Sequence, residues 1–235
     1  MSMHDGHRQR LKSRFLQEGL DHFEEKHALE LLLFYCVPRK DTSPLAYRLI
    51  DHFKSFDAVL DATPKELMEV DGVGENVAAF LSLLKSSWGY YGIVKNKKQK
   101  ILSTIKECAE YLQHYFVSKS VETVYLLCLD AKGKALCCKM IGEGSVNSAS
   151  VSIRKIVETA INANATTVVL AHNHPSGLAV PSGEDIQTTQ RLVKALEAVE
   201  IILADHLVFA EGEYVSIVQS RGYSFRNLID AGDTQ

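Results

Sequence analysis

No apolar run in this 235-residue chain approaches the roughly 20 residues that span a bilayer. The longest, such as Leu29 to Val37 and Thr167 to Ala171, stop well short, which excludes a transmembrane helix. Charge of one sign is also missing: 26 Lys and Arg stand against 29 Asp and Glu, for a formal net charge of -3. Wholesale electrostatic binding to nucleic acid or an anionic membrane is therefore not favoured, and any polyanion contact must be local. The five cysteines are odd in number and form no C-x-x-C pair, so no cysteine zinc site is expected. The opening MSMHDGHRQRLKSR lacks the apolar stretch of a signal peptide. The expectation is a cytoplasmic chain with reduced thiols. Internal repeats and low-complexity segments are absent too, which leaves one large domain or two small ones.

What is present divides in two. Residues 1–92 carry apolar residues at helical spacing in Arg8–Gln17, Glu25–Tyr35, Ser43–His52, Phe56–Asp61, Pro64–Val70 and Glu75–Trp88. Ser43-Pro44 and Thr63-Pro64 each set a capping hydroxyl before a proline, and Glu66 completes a capping box with Thr63. Trp88, Tyr90 and Tyr91 are expected to close the helical core. The run Lys95-Asn-Lys-Lys-Gln-Lys100 reads as a linker, which sets domains at 1–94 and 103–235 with 95–102 between them. Beyond it the period changes. Ile101–Phe116 is helical, Glu122–Asp130 and Ala135–Ile141 form a β-hairpin about Lys132-Gly133, and Val151–Asn164 is a helix. A strand at Thr166–His172, a helix at Ser182–Ala198 and strands near Ile201–Phe209 and Glu213–Val218 complete an α/β module.

The densest chemistry lies in Thr167-Val-Val-Leu-Ala-His172-Asn-His174-Pro-Ser-Gly-Leu-Ala-Val-Pro-Ser182-Gly-Glu-Asp185. Histidines at i and i+2 of a strand point to one side of the sheet. Asp185, one turn into the next helix, can return to the same point across the Gly177 and Pro181 loop. Two nitrogens and one oxygen then leave a fourth tetrahedral position for water, as catalytic zinc sites do. An H-x-H pair alone arises by chance about a third of the time in such a chain, and S-x-x-D is also an ordinary helix start. Requiring both at this spacing lowers coincidence to roughly one in seven hundred, so the joint pattern carries the argument.

The H-x-H-x7-S-x2-D string resembles the JAMM/MPN metalloprotease motif, and His172-Asn-His-Pro-Ser-Gly resembles its RadC-like branch. Val121-Glu122-Thr-Val-Tyr-Leu-Leu-Cys-Leu matches the family's upstream E-x-x-x-x-L-x-L, Gly144-Ser-Val-Asn-Ser-Ala-Ser-Val151 its G-T-x-N-x-S-x-V, and Asp205-His206 its D-H. Ser152-Ile-Arg154-Lys departs from the family's H-P-R-E and keeps only the arginine. The resemblance implies an α+β, cytidine-deaminase-like domain behind an all-α helix-hairpin-helix domain. It implies Zn2+ on His172, His174 and Asp185, Glu122 as general base and Ser182 as donor to the oxyanion, in a zinc metallopeptidase acting on an unidentified protein or peptide. Glu143 is a rival for the base, and His206 is left outside the ligand set.

In the helical half, Leu67-x-x-Val70-x-Gly72-Val73-Gly74-x-x-x-Ala78 matches a helix-hairpin-helix whose glycines can bring amides to a phosphate. Weak, nonspecific DNA contact through Gly72 and Gly74 stands against packing alone, since Asp71 and Glu75 flank the turn and Lys85 is the nearby cation. The RadC-like resemblance implies an alternative function that the hairpin keeps open: a DNA-associated accessory protein of repair or recombination with a structural or vestigial metal site.

Overall fold

The computed structural model describes residues 3–38, 40–96, 101–144, 152–175 and 177–220. The chain forms two compact units, Met1–Trp88 and Gly89–Gln235. Among the described residues no helix is long and apolar enough to cross a membrane.

The first unit contains α1 (Met3–Glu18), α2 (Glu25–Cys36), α3 (Ser43–Phe53), α4 (Phe56–Asp61), α5 (Pro64–Met68) and most of α6 (Glu75–Asn96). Leu29, Leu33, Leu49, Val59, Leu67 and Leu81 meet at its centre with essentially no exposure, each contributing about 1.5–3 kcal/mol by leaving water. The Thr63–Glu66 capping box forms, with each side chain accepting the other's amide. The other expected start moves by one residue. Ser43 lies inside α3 and Thr42 takes the cap position without a side-chain bond; the Ser43 amide is accepted instead by Asp41 Oδ1 at 3.0 Å.

Trp88, Tyr90 and Tyr91 do not close the core; they are 73%, 69% and 65% exposed. The helical phase explains the correction. Gly89 and Gly92 are the buried positions here, and a Cβ on either would stand 3.0 Å from the His114 carbonyl oxygen or 2.1 Å from the His114 ring. With glycine facing inward, the aromatics of the same turns face out. Lys95 and Asn96 of the expected linker continue α6, while residues 97–100 lie outside the described residues.

The second unit continues with α7 (Ile105–Leu112), a 3-10 turn (Gln113–Tyr115), β1 (Thr123–Leu129), β2 (Ala135–Glu143), α8 (Ile153–Asn162), β3 (Thr167–Asn173), α9 (Gly183–Glu197), β4 (Ile202–Ala210), β5 (Glu213–Ser216) and α10 (Ile217–Ser220). The α/β expectation holds: the five strands form one sheet in the order β2-β1-β3-β4-β5, antiparallel except for β3 and β4. Strand alternation gives it two apolar faces. Val124, Leu126, Val168 and Leu170 pack with Ile156 and Leu192 of α8 and α9, while Leu127, Val169, Ala171 and Leu207 pack with Cys108 and Leu112 of α7. His172 has the parity of Val168 and Leu170 and so faces α9. The expected Gly144–Val151 string falls, from residue 145 on, outside the described residues.

Candidate metal centre

β3 ends at the centre of the sheet, and α9 starts beside that end. The Ser182–Asp185 capping box ties the helix start: Ser182 Oγ accepts the Asp185 amide at 3.1 Å, and Asp185 Oδ2 accepts the Ser182 amide at 2.7 Å and its hydroxyl at 2.6 Å. Oδ2 is thereby occupied and Oδ1 is turned toward His172 Nε2, 3.3 Å away. His172 Nε2 and His174 Nε2 are 3.0 Å apart, and His174 Nε2 lies 3.7 Å from Asp185 Oδ2. All three residues offer a ligand atom within 4.8 Å of one another.

Hydrogen-bond bookkeeping assigns the protons. Thr189 Oγ1 donates to the Asp185 carbonyl at 2.6 Å, so at its 2.6 Å contact with His206 Nδ1 it must accept. His206 therefore carries its proton on Nδ1 and presents a bare Nε2, which accepts from His172 Nδ1 at 2.9 Å. That leaves the lone pair of His172 Nε2 facing the cluster. His174 reaches the same state more simply, since its Nδ1 donates to the Leu178 carbonyl at 3.1 Å. Two bare imidazole nitrogens and a carboxylate thus converge with no proton among them, a donor set that asks for a cation. Ligand atoms on a tetrahedral zinc ion stand about 3.3–3.4 Å apart. The 3.0 Å between the two Nε2 atoms and the 3.3 Å from His172 Nε2 to Asp185 Oδ1 lie near that value, so the residues present fit such an ion.

The electrostatics agree. Burial disfavours the charged form of Asp185, while the Ser182 amide and hydroxyl, both donating to Oδ2, favour it, and the carboxyl stays below its ordinary range. Burial pushes His206 far below the usual histidine value, so it stays neutral as the proton assignment requires. Its neighbour Asp205 is buried and accepts from the His206 amide, Ser216 Oγ and the Val218 amide, which fixes β4 at this level.

Glu122 immediately precedes β1. The pairing of β1 with β3 ends at Val124 and His172, two residues from Glu122. A cavity of ≈ 20 Å³, the room one water molecule needs, is bounded by Glu122, His172, Asp185, Thr188 and His206 among others. Glu143 does not line it; its carboxylate accepts from Lys119 Nζ at 3.1 Å. The Ser182 hydroxyl gives its proton to Asp185 Oδ2 and so supports a ligand in this arrangement. Sequence reasoning set His206 aside and did not single out Thr189. His206 belongs to a D-H signal that the sequence did contain, whereas a threonine four residues after Asp185 carries no distinguishing mark.

The hairpin residues lie in the other unit. Gly72 holds φ +90°, a conformation few other residues adopt, whereas a Cβ on Gly74 would meet open space. Lys85 is engaged by Asp61 at 2.7 Å. The cation at the turn is instead Arg48 of α3, whose Nε donates to the Asp71 carbonyl at 2.9 Å.

Residues 102–223 match the family model described as the RadC-like JAB domain. A UPF0758 protein of Fusobacterium nucleatum subsp. nucleatum is 36% identical over 221 residues, covering 91% of this chain and 95% of the relative. UPF0758 proteins of Rhodobacter capsulatus and Ruegeria pomeroyi are 35% and 33% identical, covering 88% and 92% of this chain and 96% of each relative.

Proposed function

The chain belongs to the RadC-like JAB-domain family, and on that premise we propose that it is a cytoplasmic, zinc-dependent hydrolase of amide or isopeptide bonds in a protein or peptide substrate. The observation that carries the reading is the convergence of three proton-free ligand atoms beside a one-water cavity bounded by Glu122. His172, His174 and Asp185 would hold the ion. When bound, zinc supplies a Lewis acid and lowers the pKa of a water to about 7. Glu122 would accept a proton from the attacking water and return it to the amine as the C–N bond breaks. The products are an acid and an amine, with no protein nucleophile. Ser182 orients Asp185; to donate to the developing oxyanion, it must first turn its hydroxyl away from Oδ2.

The test combines metal content with turnover. Wild type should carry about one zinc per chain and His174→Ala far less; equal occupancy sinks the ligand assignment. Glu122→Gln should keep its zinc while amide hydrolysis falls at least about a hundredfold. Glu143→Gln should turn over nearly as wild type, and the reverse pattern would assign the base to Glu143.

A second reading, a weak DNA contact by the helical unit in an accessory role, is favoured by one observation. Arg48 places a cation on the hairpin turn, where the sequence had suggested only Lys85. Contacts of this kind read phosphate alone, so duplex binding should be insensitive to sequence and fall steeply with salt.

A further inference from the structure

We propose that Asn173, the residue between the two ligand histidines, is the positioning residue for Glu122. The inference rests on the hydrolase reading above and adds the device that sets the base against the metal. β1 begins at Thr123, so Glu122 lies one residue outside the strand, and the pairing between β1 and β3 ends at Val124 and His172. No main-chain pairing with β3 reaches Glu122.

The Asn173 side chain takes over where the pairing stops. Its Oδ1 accepts the Thr123 amide at 2.8 Å, and its Nδ2 donates to the Val121 carbonyl at 3.2 Å. One amide group therefore holds the chain on both sides of Glu122. From the other side, the Glu122 carbonyl accepts the Gly144 amide at 3.0 Å. Asn173 is only 6% exposed and its bond to the Thr123 amide is buried, so water offers little substitute there.

Three successive residues, the last two of β3 and the one that follows it, thus divide the labour. His172 and His174 share a face and present ligand atoms. Asn173, on the alternate parity, cannot join them and spends its side chain on the neighbouring segment. The task requires a carboxamide, because an acceptor for an N–H and a donor to a C=O must sit side by side. Aspartate keeps the acceptor and loses the donor, and leucine has the size but neither function. A general base acts only within hydrogen-bond reach of the proton it takes, and a misplacement of about 1 Å can cost about a hundredfold.

The experiment uses the full chain with Asn173→Leu, Asn173→Asp, Glu122→Gln and the Asn173→Leu/Glu122→Gln double variant. Chelator competition should show Asn173→Leu binding zinc as tightly as wild type, because the ligands are untouched. Hydrogen exchange at the Thr123 amide should accelerate in Asn173→Leu. In cobalt(II)-loaded protein, Asn173→Leu should reproduce the change in visible spectrum caused by Glu122→Gln, and the double variant should add nothing. Turnover should fall about 10–100-fold at unchanged KM, the usual cost of losing a supporting partner. Unaltered Thr123 exchange, or spectral changes that simply add in the double variant, overturns the proposal. Should Asn173→Leu not fold, Asn173→Asp decides by spectrum and turnover, since it keeps the Thr123 bond and loses only the Val121 one. A wild type that loads cobalt but cleaves no amide refutes the hydrolase reading alone, and exchange and spectra still judge Asn173. If no metal binds, Thr123 exchange judges it.

Discussion

Replacing His206 with leucine cuts the chain His172–His206–Thr189–Asp185 at its middle while keeping an apolar side chain of moderate size. In the wild type every proton of that chain has one direction, and the direction ends with a bare Nε2 on His172. Without His206, the His172 Nδ1–H is buried and unpaired, which costs about 1–3 kcal/mol in the metal-free protein. A loss of that size lowers the melting temperature by about 2–4 °C per kcal/mol for a chain of this length. Zinc affinity should fall about 10–100-fold, equivalent to about 1.4–2.8 kcal/mol, because ring orientation and tautomer are no longer imposed. Thr189→Val tests the same logic one link away. His206 is then free to move its proton to Nε2, which forces the His172 proton onto the nitrogen that faces the ion. Its affinity should drop, and Thr189→Ser should restore it, since serine keeps the hydroxyl. Competition with a chromophoric chelator at fixed pH measures all three variants. If His206→Leu and Thr189→Val both hold zinc as tightly as wild type, the tautomer chain has no bearing on the ligand and the reasoning fails.

Two further outcomes are expected. Gly72→Ala should destabilise the helical unit by about 1–2 kcal/mol through its left-handed backbone, with Arg48 Nη2 only 2.9 Å from the new Cβ, whereas Gly74→Ala should be nearly neutral; equal melting temperatures for the two would refute the account of the turn. Thr104 and Glu107 form a capping box at the start of α7, and bonds from the Ser103 and Thr104 amides hold the Glu107 carboxyl below its ordinary pKa. A carboxylate depressed on folding stabilises above the unfolded pKa and loses that contribution as pH falls through the folded one. Glu107→Gln should therefore melt lower than wild type at neutral pH, and the gap should begin to narrow as pH falls below the ordinary glutamate value of about 4.3 and close below the lower folded one; a gap independent of pH would rule out the charge as its cause.

The features that could be read along the chain are those whose geometry is local. His172 and His174 share a face because strand side chains alternate, and Ser182 and Asp185 meet because they span one helical turn; no knowledge of the fold is needed for either. The Thr63–Glu66 box and the demand for glycine at position 72 are of the same kind. What the sequence left open depends on pairings between distant segments. The family resemblance pointed to Glu122 and left Glu143 as a rival. The register of β1 against β3 brings Glu122 to the cavity, while Lys119 engages Glu143. His206 reaches His172 from 34 residues away because β4 lies parallel to β3, and Asn173 reaches back 50 residues because β1 lies antiparallel on its other side. Trp88, Tyr90 and Tyr91 face outward because Gly89 and Gly92 take the buried positions of the same turns. A slip of one residue in a strand pair moves every side chain to the opposite face, so these partnerships follow from register, which composition and spacing do not encode and only the packed sheet decides.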